Sequence, residues 1–287
     1  LEAKPCGTDA NGYRATTKHM SAMYKPRTYR PRPNHTGSQA ELRPGLHAVE
    51  VLLDSGQDVN KIWVLKGRKD PQIQAILREA RQRGIPVQEV PPEKLQQMTP
   101  AAHQGIVAQA APIPYLRLED WVPSCFEQGQ APLLVITDGI TDVRNLGALA
   151  RSAWCLGADA LLIPGLDNAQ VTPDAVKASA GALELLTVCR TLNLTQSLRY
   201  LSESGFTLVG ASEKGRDRCG EVDLTGPLGL VMGAEDRGLS PETLRRCDAL
   251  LRIPMPEKAS SIGSLNVSVA AGILLYECLL QRQPQST

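Results

Sequence analysis

The sequence has no apolar run of the roughly 18–20 residues that a membrane-spanning helix needs, because its hydrophobic stretches are short and interrupted. We therefore expect no membrane partner. It also lacks a charged-then-apolar leader, which argues against secretion, so we expect a cytoplasmic protein. The seven cysteines include no C-x-x-C pair, and the four histidines are widely spaced. The pattern therefore predicts neither a disulfide framework nor a metal site.

Motifs of several enzyme classes are missing as well. No G-x-G-x-x-G fingerprint of dinucleotide-binding enzymes is present. Residues 210–215 and 233–238 have the glycine spacing of a phosphate-binding loop, but Arg216 and Leu239 follow them in place of lysine. The G-x-S-x-G of serine hydrolases and the H-E-x-x-H of zinc proteases are also absent. These absences disfavour an oxidoreductase, an ATPase, a serine hydrolase and a metallohydrolase.

The chain does have a basic N-terminal arm. Residues 1–40 contain seven Lys and Arg against two acidic residues, whereas the whole chain has a net charge of only +1. Its composition predicts disorder over residues 1–43, and its charge favours a polyanionic partner. The alternatives are a solvated tail or a transit peptide, which would place the protein in an organellar matrix or stroma. Met20 and Met23 are candidate natural starts, in which case residues 1–22 derive from cloning.

Hydrophobic patterning divides the remaining residues into two α/β domains. Residues 44–111 are predicted to form a small one, and residues 112–131, which mix Pro, Gly and polar residues, are predicted to be a linker. In residues 132–287, short continuous apolar runs are typical of strands buried on both faces of a parallel sheet. These runs are 133–137, 160–163, 185–188, 206–210, 228–232 and 249–253. We expect an open, mostly parallel sheet with helices on both faces, ending in a helix over residues 264–281.

Three polar segments of the second domain are candidates for chemistry. The first, Asn145–Arg151, and the third, Ser264–Ala270, each open on a residue predicted to cap a helix. The second, Met232–Ser240, begins as a buried strand ends, and Gly233 there lets a ligand approach the backbone closely. Each segment taken alone is explained as well by ordinary capping or by a turn.

Together the three segments resemble the signatures of the SpoU/TrmH class of SPOUT RNA ribose 2′-O-methyltransferases. Those signatures are Asn…Gly-Ala…Arg, Gly-x-Glu-x-x-Gly-Leu and Ser-Leu-Asn-Val-Ser-x-Ala. The small domain is similar to the substrate-binding domain often attached to that class, through Gly45–Val49 and His103–Ala108. The pairing looks most like the RlmB subfamily, which methylates a guanosine in large-subunit rRNA. Residues 256–263 depart from the pattern, because this stretch looks a few residues longer than usual.

The resemblance implies S-adenosylmethionine as cofactor, a homodimer, structured RNA of the 23S type as partner, and a C-terminal trefoil knot that forms the cofactor pocket. The implied cofactor-binding residues are Gly210, Met232, Gly233, Ile253, Met255, Ser264 and Leu265. The implied catalytic residues are Asn145, Arg151, Glu235, Ser264 and Asn266. For RNA binding we expect Lys25, Arg27, Arg30 and Arg32 of the arm, with His47 and His103 of the small domain.

Arg151 has been cast as the base in this class, but a guanidinium keeps its proton at neutral pH. We expect Arg151 instead to bind the adjacent phosphate and lower the pKa of the 2′-hydroxyl, reaching across the dimer. Asn145 would orient Arg151 or the ribose, and Glu235 would hold Arg151 or a loop amide. Ser264 and Asn266 would line the site beside the cofactor.

The signatures do not encode the RNA. A tRNA ribose 2′-O-methyltransferase of the same fold and a non-catalytic RNA-binding assembly factor therefore stay open as alternatives.

Overall fold

The computed structural model describes residues 42–218, 220–256 and 264–283. Residues 1–41 lie outside the described residues, and so do the four residues of the basic arm that were predicted to bind RNA, which are Lys25, Arg27, Arg30 and Arg32. The prediction of disorder was wrong at residues 42 and 43, because Leu42–Pro44 form a strand that pairs with residues 107–109. Within the described ranges, no helix combines the length and the apolar character needed to cross a bilayer.

The N-terminal domain is built on a four-stranded mixed sheet. Its strands lie in the order β1-β4-β2-β3, and only the β2–β3 pairing is parallel. Helices α1 and α2 cover the sheet, and they bury Val49, Leu53 and Ile76 in one apolar cluster. The elements are β1 (Leu42–Pro44), α1 (Leu46–Asp54), β2 (Val59–Leu65), α2 (Pro71–Gln82), β3 (Val87–Val90), α3 (Pro92–Met98) and β4 (Ile106–Ala110).

The C-terminal domain contains a seven-stranded sheet in the order β7-β6-β5-β10-β8-β11-β9, and every pairing in it is parallel. Its strands are β5 (Leu133–Asp138), β6 (Ala160–Pro164), β7 (Thr187–Thr191), β8 (Thr207–Ala211), β9 (Asp217–Arg218), β10 (Leu228–Gly233) and β11 (Ala249–Arg252). Its helices are α4 (Leu118–Glu127), α5 (Val143–Cys155), α6 (Pro173–Ala178), α7 (Ala182–Leu185), α8 (Leu194–Glu203), α9 (Pro241–Leu244) and α10 (Val267–Arg282).

Helices cover both faces of this sheet, as the continuous apolar runs predicted. In β5, Leu133 and Val135 face the cluster that includes α5 and α10, whereas Leu134 and Ile136 face the cluster that includes α4 and α8. Successive residues of a strand point to opposite faces, so a strand covered on both sides has to be apolar throughout. The predicted fold class is confirmed. The knot depends on how the chain threads, which strand order does not specify, and it stays a prediction.

Two local predictions were wrong. Residues 112–131, predicted to be a linker, contain the ten-residue helix α4, whose Trp121 packs against Phe206 with ring centroids 6.4 Å apart. Pro123 lies inside that helix, and a proline in a sequence normally favours a loop over a helix interior. The strand predicted over residues 185–188 begins two residues later than expected. Leu185 is the last residue of α7, and β7 begins at Thr187.

Because all strands of this sheet are parallel, their carboxyl ends lie at one edge, and those of β5, β10, β8 and β11 are neighbours there. The chain runs from β5 outward through β6 and β7, then returns to build β8 and β10 on the other side of β5. The strand order therefore reverses between β5 and β10, and ligands of open α/β sheets bind outside the carboxyl ends of strands at such a point. This topology directs attention to the ends of β5, β8, β10 and β11.

Candidate active site

A cavity of about 480 Å³ lies at the carboxyl ends of β8, β10 and β11. This volume is within the range of small-molecule pockets. Three stretches of the chain supply most of its walls. They are residues 211–214, residues 232–239, and Ser264, Leu265 and Val267 around the start of α10. Leu251, Ile253 and Met255 complete the apolar side of the cavity.

Six of the seven residues predicted to bind the cofactor line this cavity. They are Met232, Gly233, Ile253, Met255, Ser264 and Leu265. The seventh, Gly210, is buried in β8 next to the lining residue Ala211 and is not part of the wall. A Cβ atom at Gly210 would lie 2.6 Å from Cδ1 of Leu239, so protein packing accounts for glycine there.

The loop after β10 folds back tightly on the strand. Ala234 and Gly238 exchange two backbone hydrogen bonds, of 3.1 and 2.8 Å, and a Cβ atom at Gly233 would lie only 2.4 Å from the carbonyl carbon of Gly238. Asp138, at the end of β5, accepts a hydrogen bond of 2.7 Å from the backbone amide of Ser240. These contacts fix the loop against two strand ends and leave Glu235 exposed at its tip.

The three signatures meet at Asn266. Its Nδ2 donates to Oδ1 of Asn145 at 3.0 Å and also to Oε1 of Glu235. The same Glu235 oxygen accepts the backbone amide of Val267 at 3.1 Å. A carboxylate thereby sits at the N-terminus of α10, where the helix dipole favours negative charge. We refer to Asn145, Glu235 and Asn266 as the signature network.

Two predicted helix caps were wrong, and the corrections explain this network. Asp142, not Asn145, caps α5, since its side chain accepts the backbone amide of Arg144 at 2.7 Å. Asn145 lies in the first turn and its side chain is bonded to Asn266. The cap of α10 is Asn266, whose Oδ1 accepts the amide of Ser268 at 3.0 Å.

Ser264 precedes α10 and lines the cavity. The sequence pattern placed the start of this helix three residues too early. Thr172 caps α6 and Ser240 caps α9, because each side chain accepts a backbone amide of its helix.

Arg151 lies apart from the signature network in a single chain. It is exposed on α5, six residues after Asn145, which corresponds to about 9 Å along the helix axis. Within the described ranges, no hydrogen bond or ion pair joins Arg151 to Asn145, Glu235 or Asn266. Of the two partners predicted for Glu235, the structure shows the backbone amide.

The cavity suits a ligand that is part apolar and part polar. Leu251, Ile253 and Leu265 provide an apolar side suited to an aromatic base, and Ser212 and Glu235 provide hydrogen-bonding groups. The residues present therefore fit S-adenosylmethionine. Residues 212–214 of the cavity wall were not predicted from the sequence, because they belong to none of the three signatures. The one available indication was that they directly follow the apolar run 206–210, which was predicted to be a strand.

His47 and His103 lie at one end of the N-terminal domain. His103 lines a second cavity, of about 460 Å³, and its Nδ1 accepts the amide of Gly105 at 3.0 Å. His47 is exposed in the first turn of α1, and the amide of the preceding Leu46 donates to Oε1 of Gln104 at 3.1 Å. The two histidines therefore share a neighbourhood, remote in sequence from the signature network. No group of three or more potential metal ligands occurs in the described part of the chain.

Comparison with known proteins identifies the family. The profile of the SpoU rRNA methylase family matches residues 132–276, and that of the RNA 2′-O ribose methyltransferase substrate-binding domain matches residues 44–116. The chain belongs to the SpoU rRNA methylase family. This membership confirms the resemblance found in the sequence, and with it the prediction of an RNA 2′-O-methyltransferase that takes S-adenosylmethionine.

Relatives and solved structures agree with this family. A tRNA/rRNA methyltransferase of uncharacterized function from Synechocystis is 41% identical over 84% of this chain, which spans 63% of that relative's length. The 23S rRNA (guanosine-2′-O-)-methyltransferase RlmB of Pseudomonas putida is 36% identical over 86% of this chain and 98% of its own length. The crystal structure of the SpoU methyltransferase AviRb from Streptomyces viridochromogenes, in complex with the cofactor AdoMet, is 29% identical. It matches with a TM-score of 0.53 over 84% of this chain and 89% of its own.

Proposed function

We propose that this protein methylates the 2′-hydroxyl of a ribose in large-subunit rRNA, and that the target nucleoside is a guanosine. The observation that carries the proposal is the signature network, in which Asn145, Glu235 and Asn266 from three distant segments are hydrogen-bonded together and Glu235 lines the cavity. Similarity to RlmB enzymes over nearly their whole length supports the choice of RNA. A cytoplasmic location is part of the proposal and rests on the sequence alone.

Residues of the chain would hold the cofactor mainly through backbone and apolar groups. Gly233, Ile253 and Leu265 lie in the cavity wall, and a wall of this kind can enclose an adenosine without charged contacts. When bound, S-adenosylmethionine supplies an electrophilic methyl group. The task left to the protein is to place the ribose hydroxyl in line with that group and to lower its pKa, and placement alone can supply several kcal/mol of the barrier.

We assign positioning to the signature network. Because Glu235 accepts hydrogen bonds from both Asn266 and the amide of Val267, it holds the Asn266 side chain in one orientation. Asn266 in turn fixes Asn145 through the bond to its Oδ1, which leaves the Nδ2 group of Asn145 to donate to the ribose. Ser264, in the cavity wall, would contact the cofactor or the ribose.

We propose that Arg151 acts from the second subunit of a homodimer. Within one chain it makes no bond to the described members of the signature network, and its guanidinium is exposed. A guanidinium placed beside the target ribose would bind the adjacent phosphate in a bidentate manner. The resulting positive potential would stabilise the developing oxyanion.

An apolar stripe on α10 supports the dimer. Val269, Ile273, Tyr276 and Leu280 recur at helical spacing and are 40 to 54% exposed. The opposite face of α10 is buried against α5 and the sheet. Trp154 of α5 is also exposed, at 40%. An unpartnered stripe of large apolar side chains on a surface helix is typical of an isologous interface.

The test incubates the protein with S-adenosylmethionine labelled in the methyl group. The substrates are unmodified 23S rRNA and a pool of unmodified tRNAs, both transcribed in vitro. We expect label in 23S rRNA only, and primer extension at low nucleotide concentration should map it to the ribose of one guanosine. Label in tRNA alone would favour the tRNA enzyme. Absence of label from both, with S-adenosylmethionine still bound in calorimetry, would favour a non-catalytic factor.

A further inference from the structure

The two domains are joined by a partly buried polar cluster that lies away from the cavity. It consists of Asp58 and Asn60 from the N-terminal domain, Tyr115 from the segment between β4 and α4, and Val171 and Arg190 from the C-terminal domain. We call these five residues the interdomain cluster. Asn60 is completely buried, which is rare for an amide side chain unless it is hydrogen-bonded.

Both functional groups of the Asn60 amide are used. Its Nδ2 donates to the backbone oxygen of Val171 at 2.7 Å, across the domain boundary. Its Oδ1 accepts the hydroxyl of Tyr115 at 2.7 Å. That hydroxyl in turn accepts the backbone amide of Val171 at 3.3 Å. Burial raises the pKa of Tyr115 to about 12, so the hydroxyl retains the proton that it donates to Asn60 at neutral pH.

Arg190 adds a second crossing between the domains. Its Nη1 donates to the backbone oxygen of Val59 in β2, and its guanidinium carbon lies 4.3 Å from the centre of the Tyr115 ring. The backbone amide of Tyr115 donates to Asp58 at 2.9 Å. The next residue, Leu116, exchanges backbone hydrogen bonds with β7, to Val188 and from Arg190.

These contacts go beyond what a flexible tether would need. Domains within one chain are expected to move relative to each other unless their interface is large and apolar. A buried polar network in which the members satisfy one another is stable in only one arrangement of its parts. Here the hydrogen bonds between the two domains can all form only when the domains adopt one relative orientation.

We propose that Asn60, Tyr115 and Arg190 are positioning residues that fix the orientation of the N-terminal domain relative to the methyl-transfer site. The protein would then favour RNAs whose contact with the N-terminal domain and whose target ribose lie at one matching separation. This inference rests on the proposed function. A rigid connection raises RNA affinity because the second contact forms without an ordering cost.

The test compares the full-length Asn60→Ala, Tyr115→Phe and double variants with wild type. Tyr115→Phe removes only the shared hydroxyl and keeps the ring beneath Arg190. Tyr200→Phe is the matched control, since Tyr200 is a half-buried tyrosine of α8 outside the cluster. Small-angle X-ray scattering reports the domain arrangement. Calorimetry reports binding of S-adenosylmethionine, and kinetics on 23S rRNA transcribed in vitro give kcat and KM.

We expect the KM for 23S rRNA to rise about tenfold in both single variants, with kcat and the Kd for S-adenosylmethionine within about twofold of wild type. The double variant should be scarcely worse than Asn60→Ala alone, because Asn60→Ala already removes the hydrogen bond that Tyr115→Phe removes. The scattering curves should show a larger radius of gyration. The Tyr200→Phe control should match wild type in every measurement.

Two results would overturn the inference. An unchanged KM and unchanged scattering in the double variant would mean that the cluster does not fix the domains. A larger radius of gyration with an unchanged KM for 23S rRNA would mean that the orientation of the domains does not govern RNA selection. If wild type fails to methylate 23S rRNA, the proposed function is wrong, and the scattering comparison still decides whether the cluster holds the domains together.

Discussion

At the scale of single residues, Arg151 carries the sharpest prediction. Arg151→Ala should lower methylation of 23S rRNA by about 100-fold or more, while the Kd for S-adenosylmethionine stays within a few-fold, since Arg151 is outside the cavity wall. Arg199→Ala is the control, because Arg199 is also an exposed helical arginine, paired with Glu203 at 2.6 Å. Loss of cofactor binding would instead assign Arg151 to the support of the pocket.

Mixing inactive variants tests whether Arg151 works across the dimer. If each site takes Arg151 from one subunit and Asn145 from the other, refolding Arg151→Ala together with Asn145→Ala creates heterodimers with one complete site. Random assortment of a two-fold dimer should then restore about a quarter of wild-type activity. If Arg151 serves the site of its own chain, every mixed dimer has two defective sites and no activity returns.

Glu235 is predicted to act through the two groups that it holds. Glu235→Ala removes the acceptor of the Val267 amide and of Asn266. It should therefore lower the free energy of unfolding by about 0.5 kcal/mol, a typical value for a carboxylate at an exposed helix N-terminus, and lower kcat at least about tenfold.

Two variants accompany this measurement. Glu235→Gln retains an acceptor oxygen and should keep most of the activity. Glu242→Ala removes an exposed carboxylate of α9 that pairs with Arg245 at 3.1 Å, and it should leave kcat unchanged. Equal kcat in wild type and Glu235→Ala would remove the signature network from the mechanism.

For single residues, the sequence predicted the members of the candidate site more accurately than it predicted their hydrogen-bond partners. Asn145 and Asn266 were recognised through the signature patterns, yet both were given the wrong place relative to their helices. The reason is that Asp142 and Asn266 compete for the same capping role as Asn145 and Ser264, and all are good caps. The bond between Asn145 and Asn266 joins residues 121 apart, and no local pattern contains it.

At the scale of elements, the loop after β10 depends on the absence of a side chain at Gly233. A Cβ atom there would lie 2.4 Å from the backbone of Gly238, so Gly233→Ala should displace the loop and weaken S-adenosylmethionine binding by more than about tenfold. Overpacking of this kind typically costs about 1–3 kcal/mol of stability. Gly226→Ala is the control, since nothing lies within 4 Å of the added atom. Calorimetry that gave equal cofactor affinity for both variants would contradict this account.

The apolar stripe of α10 is predicted to be the dimer interface. Tyr276→Glu places a charge on a side chain that is 54% exposed, and burial of an unpaired charge in an interface is strongly unfavourable. Light scattering after size exclusion should show a dimer for wild type and a monomer for Tyr276→Glu. Val51→Glu alters a residue of α1 that is 52% exposed, and it should remain dimeric. If wild type is a monomer at micromolar concentration, the proposed dimer through α10 is wrong.

Elements were predictable where their pattern was strong. Six of the seven strands of the C-terminal sheet correspond to continuous apolar runs, which burial on both faces requires. Helix α4 was missed since Pro123 suggested a loop, although Trp121 and Cys125 are buried beneath the sheet. The two-residue strand β9, which pairs with β11, is too short to show any periodicity.

At the scale of the whole molecule, the sequence predicted two domains but not their connection. The interdomain cluster joins Asn60 to Val171 and Arg190 to Val59, pairs that are 111 and 131 residues apart. Asn60 and the following Lys61 are the two polar residues of a strand that is otherwise apolar, and nothing near Asn60 in the chain indicates its partners. Such a contact becomes visible only when both domains are folded together.

Charge distribution, by contrast, can be read from the sequence directly, and it gives the last prediction. Removing residues 1–35 deletes the cations predicted to contact RNA, which are Lys25, Arg27, Arg30 and Arg32. Each phosphate contact with single-stranded RNA contributes about 0.7 to the slope of log K against log salt concentration, so the slope should fall by about 3. Fluorescence anisotropy with 23S rRNA fragments at several salt concentrations measures it.

A shorter deletion separates this effect from general loss of positive charge. Removing residues 1–22 takes away Lys4, Arg14 and Lys18 but leaves the segment that begins at Met23 intact. If the RNA contacts lie in residues 24–32, the shorter deletion keeps the wild-type slope and only the longer one flattens it. If both deletions flatten the slope in proportion to the charge removed, the arm acts as a diffuse cation. If neither changes it, the whole electrostatic contact with RNA comes from the two folded domains.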